Sequence, residues 1–243
     1  AVNMAAHERT SLDQLCGFKR SGRKFGVLTC YDARTAAIME AVGVDVLLVG
    51  DTAAEVVLGL NTTRIIPAEF LLTLTAAVRR GAPKAFVLAD LPYAWRHGDV
   101  RTVTAWTRRF LDETGSDAVK VEVTGDDAQL VEAIRDEGVP VVAHLGLLPQ
   151  TMEPGETYRA RGRDAAGALQ LIEDARRLEN AGASMLLLEA VASEVAKEIA
   201  SHTALPVIGC CAGPHCDGTV VVLHDMIGWG GGHRPRSVKQ YAD

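Results

Sequence analysis

Several features are scarce or missing in this sequence, and each absence excludes a class of protein. Basic residues are not in excess, because 31 Asp and Glu residues outnumber 25 Lys and Arg residues and give a formal net charge of -6. This charge gives no electrostatic reason to expect nucleic acid or an anionic membrane surface as a partner. No apolar run approaches the length of a membrane span, and no basic stretch followed by an apolar run opens the sequence. We therefore expect a soluble, intracellular protein.

Cysteine patterns typical of secreted or metal-binding proteins are also missing. The five cysteines form no CxxC motif and leave an odd count, which predicts reduced thiols in the cytoplasm rather than a disulfide framework. Two of them, Cys210 and Cys211, are adjacent. Adjacent cysteines make poor redox or metal pairs, so we interpret this pair as core packing.

Domain linkers and low-complexity segments are absent as well, so 243 residues, of which 48% are hydrophobic, can form one large core. Short, nearly continuous apolar runs alternate with segments of helical periodicity, which is typical of parallel strands covered on both faces. We predict a single-domain (β/α)8 TIM barrel over residues 1–243, with a doubly wound open sheet as the alternative. The eight predicted strands are residues 26–30, 44–49, 85–89, 118–121, 139–143, 185–188, 206–209 and 220–223.

Local signals add detail to this barrel. Residues 1–24 are predicted to form an N-terminal cap segment, in which a short helix after Ser11 covers the barrel bottom. Long loops at residues 52–67 and 149–164 follow predicted strands and would lie on the C-terminal face, where loops commonly carry function. Four glycines are predicted to end helices in the left-handed conformation: Gly43, Gly81, Gly138 and Gly182.

Four of the predicted strands end on a carboxylate, at Asp51, Asp90, Glu122 and Glu189. All strand ends of a parallel barrel open on one face, so these acids are expected to meet in space. Such a cluster would repel itself unless a cation or shared protons held it together. Hard oxygen ligands without thiolate or imidazole partners point to magnesium rather than zinc, and the pattern predicts a metal-dependent enzyme.

A series of segments resembles the ketopantoate hydroxymethyltransferase family, in order and over nearly the whole chain. One such segment alone would be weak evidence, but together they are highly specific. They are LTCYD (28–32), AVGVDVLLVGD (41–51), VLGLN (57–61), AAVRRG (76–81), DLPY (90–93), VKVE (119–122), HLGLLPQ (144–150), LLE (187–189), AGPHCDG (212–218), HDM (224–226) and RPRSVKQYAD (234–243).

The resemblance implies a (β/α)8 barrel that transfers a one-carbon unit from 5,10-methylenetetrahydrofolate to 3-methyl-2-oxobutanoate. The product would be 2-dehydropantoate, in pantothenate biosynthesis. The resemblance also implies Mg2+ as cofactor and a large ring-like homo-oligomer, such as a decamer. Carried over by position, the implied metal ligands are Asp51 and Asp90, with Glu122 near the ion through water. The implied substrate contacts are Thr52, Lys120 and His144, and the implied base is Glu189.

Elementary chemistry agrees with these implied roles. The keto and carboxylate oxygens of a 2-oxo acid can chelate one hard cation, which stabilises the enolate formed when C3 loses its proton. A carboxylate in a partly apolar surrounding is a stronger base than one in water, and Glu189 follows three leucines.

Structural alternatives exist for each residue. The strand-end aspartates could be helix N-caps, Lys120 a solvated residue and His144 a scaffold histidine.

The sequence also departs from the family pattern. Asp51 is followed by Thr-Ala-Ala-Glu where the family commonly has Ser-Leu-Gly-Met, and Cys210-Cys211 stands where it tends to have Ile-Gly. A paralogue that uses another 2-oxo acid is therefore one alternative. A lyase or mutase of the phosphoenolpyruvate mutase and isocitrate lyase type is a second, although neither of its usual catalytic-loop motifs is found. A catalytically silent paralogue is a third, and the intact acids argue against it.

Overall fold

The computed structural model describes residues 9–96, 98–152, 156–229 and 238–242. Eight parallel strands pair in sequence order, and the last strand pairs with the first to close a barrel. The predicted TIM barrel is confirmed, and the open-sheet alternative is wrong. The strands are β1 Phe25–Thr29, β2 Val46–Val49, β3 Phe86–Asp90, β4 Ala118–Glu122, β5 Val141–Gly146, β6 Met185–Glu189, β7 Val207–Cys210 and β8 Gly218–Val221.

Strand boundaries differ from the prediction by at most three residues, and the largest differences have a local cause. The fifth strand begins at Val141 rather than residue 139, because Pro140 has no N–H to donate to the sheet. It extends to Gly146 because Leu145 and Gly146 continue the register with β6.

Ten helices surround the barrel in the described part of the chain. They are α1 Leu12–Ser21, α2 Ala33–Ala41, α3 Ala53–Val56, α4 Ala68–Gly81, α5 Tyr93–Arg96, α6 Val100–Thr114, α7 Ala128–Asp136, α8 Ala165–Asn180, α9 Ser193–His202 and α10 Leu223–Met226. No helix of the described residues is long and apolar enough to cross a membrane.

The short N-terminal helix has the predicted place and start. Ser11 caps α1 through a reciprocal box with Gln14, which satisfies two backbone donors that the helix start leaves unpaired. Leu15 of α1 is fully buried and packs with the inward-facing layers of the barrel, so the helix closes the barrel bottom. Residues 1–8 of the predicted cap segment lie outside the described residues, as do residues 234–237 and 243 of the 234–243 segment.

Three of the four predicted helix-ending glycines adopt a positive φ, at Gly43, Gly138 and Gly182. The prediction for Gly81 is wrong, because Gly81 is the last residue of α4. A Cβ on Gly81 would lie 2.1 Å from the carbonyl oxygen of Ala33 in α2. This glycine is therefore required by the close approach of two helices and not by a turn.

Candidate active site

Alternate residues of each strand point into the barrel, and the inward-facing positions at the C-terminal end of the strands are polar. Inward-facing apolar layers fill the lower part and include Phe86 and Leu88 of β3 and Met185 and Leu187 of β6. Side chains of a strand alternate between its two faces, so the next inward positions of these strands are Asp90 and Glu189. Ala118 of β4 and Val142 of β5 also face inward, and the next alternate positions of these two strands are polar. These positions are Lys120, Glu122 and His144.

Asp51 and Asp90 lie side by side at the ends of β2 and β3. The backbone N–H of Asp51 donates to Oδ2 of Asp90 over 2.9 Å. Asp90 is 2% exposed, and burial raises the pKa of its carboxyl group to about 6 despite the Lys120 charge. The N-cap alternative is wrong for Asp51, since Thr52 occupies the cap position of α3.

Lys120 is the central cation of the site. Its Nζ lies 2.6 Å from Oδ1 of Asp90 and 3.3 Å from Nδ1 of His144. Burial alone would lower the pKa of Lys120, but the carboxylates of Asp90, Asp51 and Glu122 outweigh it and hold that pKa above its ordinary value. With 7% exposure, Lys120 is not the solvated residue of the structural alternative.

His144 connects Lys120 to Glu189. Burial, together with the Lys120 charge, lowers the pKa of the imidazole, so His144 is neutral at physiological pH. Lys120 can only donate, so Nδ1 of His144 accepts and the ring proton lies on Nε2. That Nε2 is 3.3 Å from Oε2 of Glu189, although the two atoms are not aligned as in a hydrogen bond. His144 thus lies beside Glu189, which fits both a site residue and the scaffold alternative.

The backbone around Glu189 is held on both sides. The carbonyl oxygen of Glu189 accepts from Leu147 N–H over 2.8 Å, and Ala190 N–H donates to the Cys210 carbonyl over the same distance. Ala190 has a positive φ of 48°, a conformation that non-glycine residues seldom adopt without support. A Cβ at Gly146 would lie 2.4 Å from the Glu189 carbonyl oxygen. These contacts fix where the Glu189 side chain leaves β6.

Glu122 and Gln150 form the other side of the site. Burial raises the pKa of Glu122 to about 8, and the acids Asp51, Asp90 and Glu189 add to the rise. The backbone N–H of Gln150 donates to both Glu122 oxygens, over 3.1 and 3.3 Å. The Gln150 side-chain amide donates over 2.8 Å to Oδ2 of Asp51.

Gln150 is not among the predicted site residues, although it ends the HLGLLPQ segment. It is 2% exposed and lies on the loop after β5, where Arg64 from the loop after β2 donates to its carbonyl oxygen over 2.7 Å. The two long loops predicted to be functional therefore meet above the barrel, and Gln150 joins them to Asp51. No sequence signal beyond its place in the family segment could have shown this contact.

All seven predicted site residues line one cavity of about 750 Å3 at the C-terminal end of the barrel. Its lower wall is apolar, with Leu48, Leu187 and Val220, and Thr52 lies on its side. A group of three or more metal-binding side chains is not found among the described residues. The cavity therefore combines a pair of carboxylates, one buried ammonium group and a carboxylate beside a neutral histidine.

Cys210 and Cys211 also line this cavity. Cys210 is partly buried and packs against the inward-facing core, whereas Cys211 is exposed. The core-packing interpretation is therefore wrong for Cys211 only. Cys210 is the last residue of β7 and occupies an inward-facing position of that strand. Cys211 begins the loop that follows and is therefore outside the sheet. Cys211 has a positive φ of 55°.

Comparisons with known proteins agree with the fold and specify the family. A model of ketopantoate hydroxymethyltransferase matches residues 9–243. The 3-methyl-2-oxobutanoate hydroxymethyltransferase of Halalkalibacterium halodurans is 42% identical over 225 residues, which cover 93% of this chain and 81% of that protein. The enzyme of the same name from Frankia casuarinae is 43% identical over 235 residues, which cover 97% and 79%.

Solved structures with similar folds are more distant in sequence. A phosphoenolpyruvate phosphomutase from Streptomyces platensis has a TM-score of 0.67 at 15% identity. The match covers 90% of this chain and 83% of the phosphomutase chain. A 2,3-dimethylmalate lyase of the phosphoenolpyruvate mutase and isocitrate lyase superfamily has a TM-score of 0.63 at 16% identity, with 87% and 80% covered. At these identities the similarity concerns the fold alone.

The fold and the cavity thus define a TIM-barrel enzyme with a polar site at the carboxyl ends of its strands. More narrowly, the chain belongs to the ketopantoate hydroxymethyltransferase family. It is therefore a transferase of one-carbon units, and this membership favours the hydroxymethyltransferase prediction over the lyase or mutase alternative.

Proposed function

We propose that the protein transfers the one-carbon unit of 5,10-methylenetetrahydrofolate to C3 of 3-methyl-2-oxobutanoate, with Mg2+ as cofactor, and so forms 2-dehydropantoate. The observation that carries the proposal is the convergence of Asp51, Asp90, Lys120, His144 and Glu189 around one cavity in a chain of this family.

The donor set fits magnesium. Mg2+ in enzymes is commonly held by one or two carboxylates, with water and substrate oxygens completing the shell. Asp51 and Asp90 supply two hard carboxylates. Oδ1 of Asp90 is buried and has no well-aligned hydrogen bond among the described residues, although the Lys120 ammonium is close to it. When bound by these aspartates, Mg2+ would act as a Lewis acid toward the keto and carboxylate oxygens of the substrate.

Other side chains of this cavity would remove the proton, stabilise the charge and bind the apolar part of the substrate. Glu189, whose carboxylate lies 3.3 Å from Nε2 of His144, is placed to take the proton from C3 of the 2-oxo acid. Lys120 stays charged between the acids and offsets the negative charge that develops on the substrate. The apolar wall at Leu48, Leu187 and Val220 accommodates the methyl groups at C3.

Product mass tests the proposed function. The protein is incubated with Mg2+, methylenetetrahydrofolate and either 3-methyl-2-oxobutanoate or a 2-oxo acid with different branching. We expect 2-dehydropantoate to form, and only when all three components are present. Product from another 2-oxo acid alone would instead support the paralogue alternative, and no product from any of them would support the silent paralogue.

Gln150→Ala is expected to weaken Mg2+ binding about 10- to 100-fold, the usual loss when a group that orients a metal ligand is removed. The physical reason is the lost donor to Oδ2 of Asp51, since the backbone contact to Glu122 is kept. Calorimetric titration with Mg2+ measures the effect. Gln170→Ala is the matched control, because Gln170 also donates its amide to a carboxylate, that of Asp174 on α8. Equal affinities in both variants would contradict the role of Gln150.

Thr52→Ser is expected to shift the ratio of activities toward 3-methyl-2-oxobutanoate by up to ~10-fold, the lower range for one methyl group in a pocket. Thr52 adjoins Asp51 on the cavity wall, so its methyl group restricts the space for the C3 substituents. Competition between two 2-oxo acids measures the ratio. Thr63→Ser makes the same change elsewhere on the wall and should leave it unaltered. A strong preference of the wild type for 3-methyl-2-oxobutanoate that Thr52→Ser does not move would refute this prediction.

We also propose that the chain assembles into the ring-like homo-oligomer expected of the family. Support comes from Ile38 of α2 and Val42 at its C-cap, which are 66% and 64% exposed, because subunit contacts commonly use exposed apolar side chains. Light scattering of the purified protein measures the subunit number. A cytoplasmic location remains a prediction from the cysteine pattern.

A further inference from the structure

Tyr31 is a buried side chain that the proposed reaction does not use. It follows β1, which ends at Thr29, and it is 6% exposed. Its hydroxyl oxygen is buried and has no well-aligned hydrogen bond among the described residues, although the hydroxyl groups of Thr52 and Thr29 interact with it. A buried hydroxyl without a good partner costs free energy, so its presence calls for an explanation beyond packing.

The hydroxyl of Tyr31 points toward the proposed metal and substrate residues beside Gly50. A Cβ on Gly50 would lie 3.0 Å from Oγ1 of Thr52 and 3.4 Å from Oδ2 of Asp90. Oη of Tyr31 would lie 3.7 Å from the same Cβ. Oxygen atoms from three chain segments therefore converge on one point, directly before the proposed metal ligand Asp51. The missing Cβ of Gly50 leaves the space in which the phenol approaches Thr52.

The ring of Tyr31 is held from the side of α10. The ring centroids of Tyr31 and His224 are 5.9 Å apart, with an angle of 38° between the planes. The start of α10 is in turn fixed to β1, because the backbone N–H of Leu223 donates to Oγ1 of Thr29 over 2.9 Å. These contacts restrict the ring, and its hydroxyl therefore stays beside Thr52.

We propose that Tyr31 is a positioning residue, whose hydroxyl donates to Oγ1 of Thr52 when the 2-oxo acid is bound and so fixes the direction of the Thr52 methyl group. Threonine carries its hydroxyl and methyl groups on one carbon, so a hydrogen bond that holds the hydroxyl also fixes the methyl group. Hydrogen bonds of active sites are often poorly aligned in the free protein and become aligned in the complex. Burial raises the pKa of Tyr31 above its ordinary value, and the phenol keeps the proton that it donates.

Tyr31 would thus act on affinity and selectivity through Thr52. An ordered Thr52 hydroxyl is available to an oxygen of the substrate, and an ordered methyl group narrows the space for the substituents at C3. The inference rests on the proposed function, because that function places a 2-oxo acid against the cavity wall to which Thr52 belongs.

Calorimetry in the presence of Mg2+ and without folate measures the dissociation constants of 3-methyl-2-oxobutanoate and of the unbranched 2-oxobutanoate. Tyr31→Phe keeps the ring and removes the hydroxyl. We expect it to weaken the binding of both acids about 2- to 10-fold, the usual net contribution of one hydrogen bond. The affinity ratio should move toward 3-methyl-2-oxobutanoate, as for Thr52→Ser. Thermal stability should not fall, because the lost hydroxyl has no well-aligned partner among the described residues.

Two variants of Thr52 separate positioning from a structural role in a double-mutant cycle. Thr52→Val has no hydroxyl to hold, so Tyr31→Phe in that background should change neither the affinities nor their ratio. Thr52→Ser keeps the hydroxyl but lacks the methyl group, so Tyr31→Phe there should weaken binding and leave the ratio unmoved. Tyr241→Phe is the matched control, because Tyr241 is 69% exposed and the same substitution should leave binding unaltered.

The inference is overturned if Tyr31→Phe binds both acids as the wild type does, or if its effect is the same in the wild type and in Thr52→Val. A lower thermal stability with an unmoved ratio would also overturn it, since Tyr31 would then have a structural role only. These outcomes leave the proposed function standing. If the wild type binds a 2-oxo acid but forms no product with methylenetetrahydrofolate, the proposed function fails and the binding test of Tyr31 still decides. If it binds neither acid, both fail.

Discussion

Glu189→Gln is expected to slow deuterium exchange at C3 of the bound 2-oxo acid by about 10²–10⁴-fold, the usual contribution of a positioned general base. The amide keeps the shape of the side chain but cannot take the proton. Exchange into 3-methyl-2-oxobutanoate is followed by NMR in the presence of Mg2+ and without folate, so the readout isolates proton removal from one-carbon transfer.

Glu194→Gln is the matched control for this prediction. Glu194 lies exposed in the first turn of α9, so the same substitution there should leave the exchange rate unchanged. An exchange rate for Glu189→Gln equal to that of the wild type would assign the base to another residue of the cavity. Unaltered thermal stability of Glu189→Gln would show that a slow rate is chemical in origin.

Asp51→Asn is expected to lower Mg2+ affinity by at least about 100-fold, the upper end of the loss caused by removing a group that only supports a ligand. Asn removes the anionic charge but can still accept from the Gln150 amide, so the local structure is kept. Calorimetry measures Mg2+ binding, and product formation should fall with it. Asp90→Asn should have the same direction of effect, although it also removes the ion partner of Lys120.

Asp225→Asn is the comparison for Asp51→Asn, because Asp225 lines the same cavity but belongs to α10. Its Mg2+ affinity should stay close to that of the wild type. An unchanged affinity in both Asp51→Asn and Asp90→Asn would remove the ion from this pair. A common loss in Asp51→Asn and Asp225→Asn would instead point to the total charge of the cavity rather than to a specific ligand.

The architecture of the protein could be predicted from the sequence because its signals are local. Buried parallel strands give continuous apolar runs, and the turns between elements give glycines, so all eight strands were found within three residues. The strand-end acids could be predicted to meet because one rule of topology places every strand end on the same face. The prediction for Gly81 is wrong for the converse reason, since a helix-ending glycine and a glycine at a helix crossing give the same signal in the sequence.

The sequence by itself determined the barrel, its family and seven residues that line one cavity. Only the tertiary structure decided how these residues act on one another. It buried Lys120 among acids, placed Nε2 of His144 against Glu189, and brought Gln150 from a distant loop to Asp51. It also showed that Cys211, which the sequence predicted to pack in the core, is exposed and lines the cavity. Periodicity predicts which face a residue occupies, but burial, charge and contact depend on neighbours that are far apart in the chain and meet only when the barrel closes.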